Sequence, residues 1–238
     1  MNSAEIFKKL LSFDLKWQDF DWLEGRGLSE FELLISVILT QNTNWNNVLK
    51  ALENCKKAQI STLNQVANLD SKALAELIKP SGFYNTKAKR LKGLAEAILQ
   101  EFDNMKSFKE NVSREWLLGI KGLGYESVDG ILNYLCKREI LVVDNYTYRL
   151  ALHLGYELED YEDLREFFQN GIEQERRNLC QILGREYELY ELYQIYHALI
   201  IAFGKVAFRG KKLSEKGEDW IKSLKCFNHH IHALKSCR

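Results

Sequence analysis

The residues best suited to chemistry in this sequence are a pair of glycines, Gly122 and Gly124, and an aspartate further along the chain, Asp144. A Gly-x-Gly turn permits a positive φ and a close approach of the backbone to a ligand. The unpaired N–H groups at the start of a following helix suit a phosphate oxygen, although such a pair is also typical of an ordinary turn between packed helices. A carboxylate at Asp144 can cap the next helix, and it can also stabilise positive charge or activate water.

The elements that must position these groups are helices. Apolar residues recur at intervals of three and four along most of the chain, which is typical of amphipathic helices, and the single proline, Pro80, agrees with this pattern. A helix, a tight turn at 119–124 and a second helix that follows at once predict a helix-hairpin-helix. The predicted fold class is all-α, and only residues 139–143 resemble a strand. Other helices are predicted at 72–79, 86–102, 146–154, 161–183 and 189–204.

Charge is balanced over the whole chain and uneven along it. The sequence has 33 Lys plus Arg and 33 Asp plus Glu, and the resulting net charge of zero argues mildly against a nucleic-acid partner. Basic residues nevertheless cluster at 87–92 and 205–212, and acidic residues cluster at 157–166. Each cluster taken alone is most often a solvated helix face, so the neighbouring motifs have to decide its role.

The composition is that of an ordinary globular protein. Hydrophobic residues make up 46% and charged residues 28%, unlike disordered or membrane chains. The longest apolar runs are too short to cross a bilayer, and residues 1–20 lack the apolar stretch of a signal peptide. The five cysteines are odd in number and scattered. We therefore expect a reducing, cytoplasmic setting without membrane contact.

Four motifs, in order along the chain, resemble those of the helix-hairpin-helix DNA glycosylase superfamily, the endonuclease III-like group. They are the helix and loop at 31–43, the Gly-Phe-Tyr-Asn-x-Lys-Ala segment at 82–88, the hairpin with its Val-Val-Asp-Asn-x-x-x-Arg sequence around Asp144, and the late helix at 196–205. The resemblance implies an enzyme of base excision repair that is cytoplasmic and associated with the nucleoid.

The fold that this resemblance implies is all-α and two-lobed, with a central cleft. One lobe is a six-helix bundle at 29–133 that carries the hairpin at 113–137, and the other joins 1–28 to 134–238. Asp144 is expected at the cleft, facing C1′ of a flipped nucleotide. There its carboxylate would stabilise the positive charge that develops as the N-glycosidic bond breaks, and would orient or deprotonate the attacking water.

The hairpin departs from the superfamily pattern in a way that limits the expected chemistry. Members that also cleave the DNA strand carry a lysine two residues after the second hairpin glycine, and here that position is Glu126. Because a carboxylate cannot form a Schiff base, we expect a monofunctional glycosylase that leaves the abasic site intact. The alternative is that another lysine, for example Lys121, takes the role.

No metal or cofactor is expected. Many members bind a [4Fe-4S] cluster through four cysteines, but Phe208 stands where the first of them would be and no compact set follows. The C-terminal tail offers possible zinc ligands whose spacing matches no standard pattern, namely Cys226, His229, His230, His232 and Cys237.

The loop at 39–45 resembles the 3-methyladenine DNA glycosylase III branch of the superfamily, which lacks both the hairpin lysine and the cluster. The resemblance implies excision of alkylated purines, with Trp45 and Trp22 as the aromatic residues that stack on the flipped base. It also implies that Gln41 or Asn42 fills the gap left in the DNA. Alternatively, either tryptophan could belong to the core, and the two amides could simply cap a polar loop.

The expected partner is double-stranded DNA containing damaged bases, bound by a monomer. The expected contacts to its backbone are Gly122, Gly124 and Lys121 in the hairpin, with Lys87 and Lys205 from the two basic clusters.

Two other functions remain open at this point. One is an endonuclease III-like glycosylase and lyase for oxidised pyrimidines, against which Glu126 argues. The other is a non-catalytic module that binds damaged DNA, which would gain nothing from a carboxylate at Asp144.

Overall fold

The computed structural model of the chain describes residues 2–20, 22–23, 27–210 and 212–235, with side chains up to residue 226. The all-α prediction is confirmed, because the described elements are helical apart from two strands of two residues each. The helices are α1 Ser3–Leu11, α2 Glu30–Leu39, α3 Trp45–Lys57, α4 Leu63–Asn68, α5 Ser71–Leu77, α6 Tyr84–Phe102, α7 Met105–Asn111, α8 Arg114–Leu118, α9 Tyr125–Gly130, α10 Asn145–Leu154, α11 Tyr161–Gln169, α12 Arg176–Leu183, α13 Leu189–Ala207 and α14 Glu215–Lys235. Short 3₁₀ turns lie at Trp17–Asp19 and Lys79–Ser81, and a π-helical turn at Ile131–Leu135 continues α9.

The first compact unit consists of Met1–Leu23 and Glu139–Arg238. Its centre is α13, in which residues 192–204 are all buried, as expected for a helix that is apolar on every side. Phe7 of α1 stacks on Tyr196 of α13 with ring centroids 4.5 Å apart, and the Tyr196 hydroxyl donates to the Ser3 carbonyl at 3.0 Å. These contacts fix the N-terminal helix to the C-terminal part of the chain.

The second compact unit is Glu24–Arg138. Its longest helix, α6, packs against α4, α5 and α7, while α2 packs against α3, α6 and the π-helical turn. Phe102, Phe108 and Trp116 meet edge to face, with Phe102 and Trp116 ring centroids 4.9 Å apart. This cluster joins the end of α6 to α7 and to the start of the hairpin.

The chain divides at residues 23/24 and 138/139, whereas the sequence placed the division at 28/29 and 133/134. Residues 134–138 belong with the hairpin, because the π-helical turn extends the second hairpin helix to Leu135. Arg138 then closes this end: its backbone N–H donates to the Leu132 carbonyl at 2.9 Å, and its Nη2 donates to the Glu110 carbonyl at 2.7 Å.

The prediction of a strand at 139–143 is wrong. Leu141 and Val143 are buried in the core of the first unit, and the Leu141 N–H donates to Gln169 Oε1 at 3.0 Å instead of to a neighbouring strand. The strands that do form are β1 Phe208–Arg209 and β2 Lys212–Leu213, an antiparallel pair with Phe208 opposite Leu213. The apolar residues at 139–143 reflect burial of a connection between helices, not a strand in a sheet.

The single helix predicted at 161–183 is two helices, α11 and α12, in the structure. The chain leaves α11 at Asn170 in an extended conformation, and Gly171 follows with φ +83°. A left-handed glycine of this kind cannot continue a helix. Within the described ranges, every helix falls short of the length and apolar character that a membrane span requires.

Candidate active site

Asp144 caps the N-terminus of α10 in the first unit. Its Oδ1 accepts from the Thr147 backbone N–H at 2.8 Å and from the Thr147 hydroxyl at 3.0 Å, and the Asp144 N–H donates to Thr147 Oγ1 at 3.1 Å. Two hydrogen bonds therefore fix the orientation of the carboxylate, and a third holds its backbone; the side chain is 13% exposed. The capping alternative is confirmed, and it leaves the second oxygen, Oδ2, directed away from the cap.

The second oxygen of Asp144 lies near His197, whose ring stacks on Trp22. His197 Nε2 of α13 lies 3.9 Å from Asp144 Oδ2, and the His197 ring stacks on Trp22 with centroids 6.0 Å apart. Burial lowers the pKa of His197, and the neighbouring carboxylate opposes this only in part. The imidazole is therefore neutral at neutral pH, and the group beside Asp144 is an uncharged ring system.

The sequence reasoning did not identify His197 as a site residue. It lies in a run of buried residues from Leu192 onwards, and the signal was a titratable side chain on a helix that is otherwise almost wholly apolar. Its partner Asp144 is distant in the sequence, so only the packing of α10 against α13 reveals the pair.

The hairpin consists of α8, a turn and α9 in the second unit, as the sequence predicted. Gly122 has φ +97°, and a Cβ there would lie 2.5 Å from Arg90 Nε, so both the backbone angle and the space require glycine. Gly124 is the N-cap residue of α9, which begins without a side-chain cap. Contact between this turn and a DNA phosphate stays a prediction.

An ion pair holds the two hairpin helices together. Arg114 of α8 donates to both carboxylate oxygens of Asp129 at 2.6 and 3.0 Å, and the Asp129 side chain is fully buried. Two parallel bonds between a guanidinium and a carboxylate are the strong, orientation-specific form of this contact. This ion pair fixes α8 and α9 relative to each other and thereby stabilises the turn between them.

The burial of Lys87 argues against the predicted contact with the DNA backbone. The residue is 2% exposed, and its ammonium donates to the Leu39 carbonyl, the Thr43 hydroxyl and the Ser81 carbonyl at 2.7–2.9 Å. Burial, helped by Arg90, lowers its pKa to about 8. Lys92 is used in the same way, on the carbonyls of Ala67 and Leu69. Much of the basic cluster at 87–92 therefore serves the fold.

The two candidates for the gap-filling residue differ in their surroundings. Gln41 donates to the Gly122 carbonyl and to Ser127 Oγ, both at 3.1 Å, and accepts from Arg90 at 2.6 Å. Asn42 is exposed and has φ +52°. Gln41 links the loop to the hairpin, and Asn42 is the residue that the loop presents to solvent.

The remaining predicted residues lie as follows. Trp45, half-buried, is the first residue of α3 in the second unit, whereas the half-buried Trp22 is in the first. Lys121 and Glu126 are exposed on the hairpin, Glu126 in the first turn of α9. The ammonium of Lys205 lies 4.7 Å from the centroid of the Phe20 ring, and desolvation lowers its pKa.

The candidate metal-ligand positions do not form a metal site among the side chains that the structure describes. Phe208 is 8% exposed and meets the Phe203 ring edge to face at 5.9 Å, so it is a core residue. Cys226 is exposed. The side chains of His229, His230, His232 and Cys237 lie outside the described part. Among described side chains, no group of three or more potential ligands comes together. The expectation of no cofactor stays a prediction.

Phe83 is a second residue that the sequence reasoning did not single out. It precedes α6, is 73% exposed and has φ +46°. A bulky residue in the left-handed region is strained, and such strain concentrates at functional positions. The sequence signal that could have identified Phe83 is an aromatic residue placed between Gly82 and the start of a helix.

Comparisons with known proteins extend over most of the chain. Residues 35–174 match the family model described as HhH-GPD superfamily base excision DNA repair protein. A crystal structure of H. pylori 3-methyladenine DNA glycosylase (MagIII) bound to 1,N6-ethenoadenine is similar with a TM-score of 0.81 and 41% identity, covering 88% of this chain and all of that one. A Methanocaldococcus jannaschii protein with the provisional name DNA repair glycosylase MJ1434 is 35% identical over 89% of this chain and 90% of its own length. A DNA complex of endonuclease III, at 17% identity and a TM-score of 0.63 over 90% of this chain and 91% of that one, is similar in fold alone.

Proposed function

We propose that this chain, which belongs to the HhH-GPD superfamily of base excision DNA repair proteins, is a monofunctional DNA glycosylase that excises alkylated purines such as 3-methyladenine from double-stranded DNA. The membership and the all-α fold agree with what the four sequence motifs implied. The observation that carries the proposed chemistry is the Asp144 carboxylate, which has one oxygen fixed in a helix cap and the other near His197, whose ring stacks on Trp22.

The role that we propose for Asp144 is electrostatic and basic. As the bond from C1′ to the base nitrogen breaks, its electrons leave with the base and positive charge develops on the sugar. A carboxylate already held by Thr147 stabilises that charge without reorganising. Water then adds to C1′, and its proton passes to Asp144. The product is the free base and an intact abasic site.

The surroundings of Asp144 favour a cationic base. An alkylated purine carries positive charge, which draws it to aromatic faces and makes it a good leaving group. Trp22 offers such a face, and the neutral His197 adds no positive charge that would repel it. The similar H. pylori enzyme is named for 3-methyladenine, which supports the same class.

Release of bases from a panel of damaged duplexes tests this choice of substrate. We expect release of 3-methyladenine from methylated DNA and no release of thymine glycol. The control is an unmodified duplex of the same sequence. Thymine glycol release without 3-methyladenine release would favour the endonuclease III-like alternative, and binding with no release of any base would favour a non-catalytic module.

The absence of lyase activity is a separate prediction. Because Glu126 stands at the lysine position of strand-cleaving members, we expect no covalent adduct when the protein and abasic DNA are treated with sodium borohydride. A lyase of the superfamily serves as the positive control. An adduct that forms with the wild-type chain and is lost in Lys121→Ala would instead assign the imine to Lys121.

We further propose that the enzyme acts as a monomer without an iron–sulfur cluster. The buried Phe208 supports this second point, because a core aromatic occupies the place of the first cluster cysteine.

A further inference from the structure

We propose that Lys87 is a positioning residue that holds two exposed side chains, Asn42 and Phe83, together as one surface for insertion into DNA. The inference rests on the proposed glycosylase function, because only an enzyme that flips a nucleotide needs to fill the space left behind. It replaces the expectation that Lys87 binds a phosphate.

The contacts of Lys87 join two segments that are far apart in sequence. One is the end of α2 and the loop after it, where Lys87 Nζ donates to the Leu39 carbonyl at 2.9 Å and to Thr43 Oγ1 at 2.8 Å. The other is the 3₁₀ turn before α6, where it donates to the Ser81 carbonyl at 2.7 Å. The Thr43 hydroxyl also donates to the Ser81 carbonyl. An ammonium has three N–H donors, and all three are used here.

Each joined segment presents one non-glycine residue with a positive φ. Asn42, flanked by the Leu39 and Thr43 contacts, has φ +52°, and Phe83, two residues after Ser81, has φ +46°. A bulky residue such as Phe83 keeps this conformation only when its surroundings impose it, whereas asparagine adopts it more readily. Lys87 contacts the backbone or the side chain on the inner side of both segments, and thereby fixes both conformations at once.

The two residues have the chemistry that insertion requires. Phe83 is 73% exposed, and an aromatic ring that is held out in solvent gains most by stacking on a base. Asn42 is also exposed, and its amide can donate and accept where a base pair has opened. Gln41, between the two ends of the same loop, is bound to the Gly122 carbonyl, so the surface is also tied to the hairpin.

Coupling between Lys87 and Phe83 is the property to measure. The readout is the Kd for a duplex carrying a tetrahydrofuran abasic-site analogue, at fixed salt. In the wild-type background we expect Phe83→Ala to weaken this binding about tenfold. In the Lys87→Met background, where Phe83 is no longer held, we expect Phe83→Ala to change the Kd less than about twofold, because residues that act as a unit are not additive.

Lys92→Met is the matched control. Lys92 is also on α6 and also donates to two backbone carbonyls, those of Ala67 and Leu69, but it contacts neither Leu39, Thr43 nor Ser81. Phe83→Ala should keep its full effect in the Lys92→Met background. If Phe83→Ala weakens binding by the same factor in both backgrounds, Lys87 stabilises the fold only and the proposal is overturned.

Two further measurements keep the outcome decisive. If Lys87→Met does not fold, Thr43→Val removes the hydroxyl that links Lys87 to Ser81 and should show the same coupling to Phe83. In free protein, Lys87→Met should speed amide exchange of residues 40–44 and 81–83 together, and Lys92→Met should not; unchanged exchange in both segments contradicts the proposal. The base-release assay tests the proposed function, and the Kd measurements test the coupling between Lys87 and Phe83. Because the two assays are independent, failure of one proposal is distinguishable from failure of the other.

Discussion

Asp144→Asn should slow single-turnover release of 3-methyladenine about 100-fold or more, which is the effect of removing a preorganised charge from a reaction centre. The fold should survive, because asparagine is as good an N-cap residue as aspartate and can still accept from the Thr147 N–H. Base release and thermal unfolding of the same preparation measure the two effects separately. A large loss of activity with an almost unchanged melting temperature would identify a chemical role.

Asp160→Asn supplies the matched control for this substitution. Asp160 caps α11 in the same unit by accepting from the Glu162 N–H at 2.7 Å, and it is exposed. The same atoms change in a cap of the same kind, so we expect wild-type activity. An Asp144→Asn variant that is as active as the Asp160→Asn variant would refute the role of Asp144.

Gly204→Ala should damage both stability and activity. A Cβ at Gly204 of α13 would lie 2.2 Å from Cδ1, 2.5 Å from Cγ and 2.9 Å from Cβ of Tyr146. The stem of a side chain cannot move alone, so α10 must shift, and Asp144 begins that helix. Overpacking of this kind costs about 1–3 kcal/mol of unfolding free energy. Because a displacement of about 1 Å can cost about 100-fold in rate, we also expect a marked loss of base release in folded protein.

Gly93→Ala is the control for Gly204→Ala. Gly93 lies within α6, and a Cβ there would meet nothing within 4 Å. Alanine in an open helical position should raise the unfolding free energy by about 0.5–1 kcal/mol. Denaturant unfolding compares the two variants. An unfolding free energy of Gly204→Ala equal to that of the wild type would contradict the prediction, because it would show that α10 can move away from α13 without loss of stability.

The features that the sequence could predict are local ones. A glycine pair between two helical patterns predicts the hairpin turn, because the backbone angle that Gly122 needs is a property of that residue and its neighbours. The capping role of Asp144 is equally local, since donor and acceptor lie three residues apart. The superfamily follows from the order of such motifs along the chain.

The features that the sequence could not predict depend on distant partners. The three acceptors of Lys87 lie 48, 44 and 6 residues away, so a basic cluster on α6 looked like a DNA-binding face. His197 likewise meets Asp144 only through helix packing. Burial of connecting residues such as Leu141 and Val143 also depends on tertiary packing, and it gives the sequence the apolar pattern of a strand.

The inward use of lysines on α6 has a consequence for how such a protein searches DNA. Lys87 and Lys92 direct their ammonium groups to carbonyls of their own chain, so counting basic residues overstates the charge available to phosphates. Each phosphate contact adds about one to the dependence of log affinity on log salt. With fewer such contacts, we expect the affinity for undamaged DNA to be low and to fall only gently as salt rises. Short residence on undamaged DNA would then leave more of the protein free to reach a damaged site.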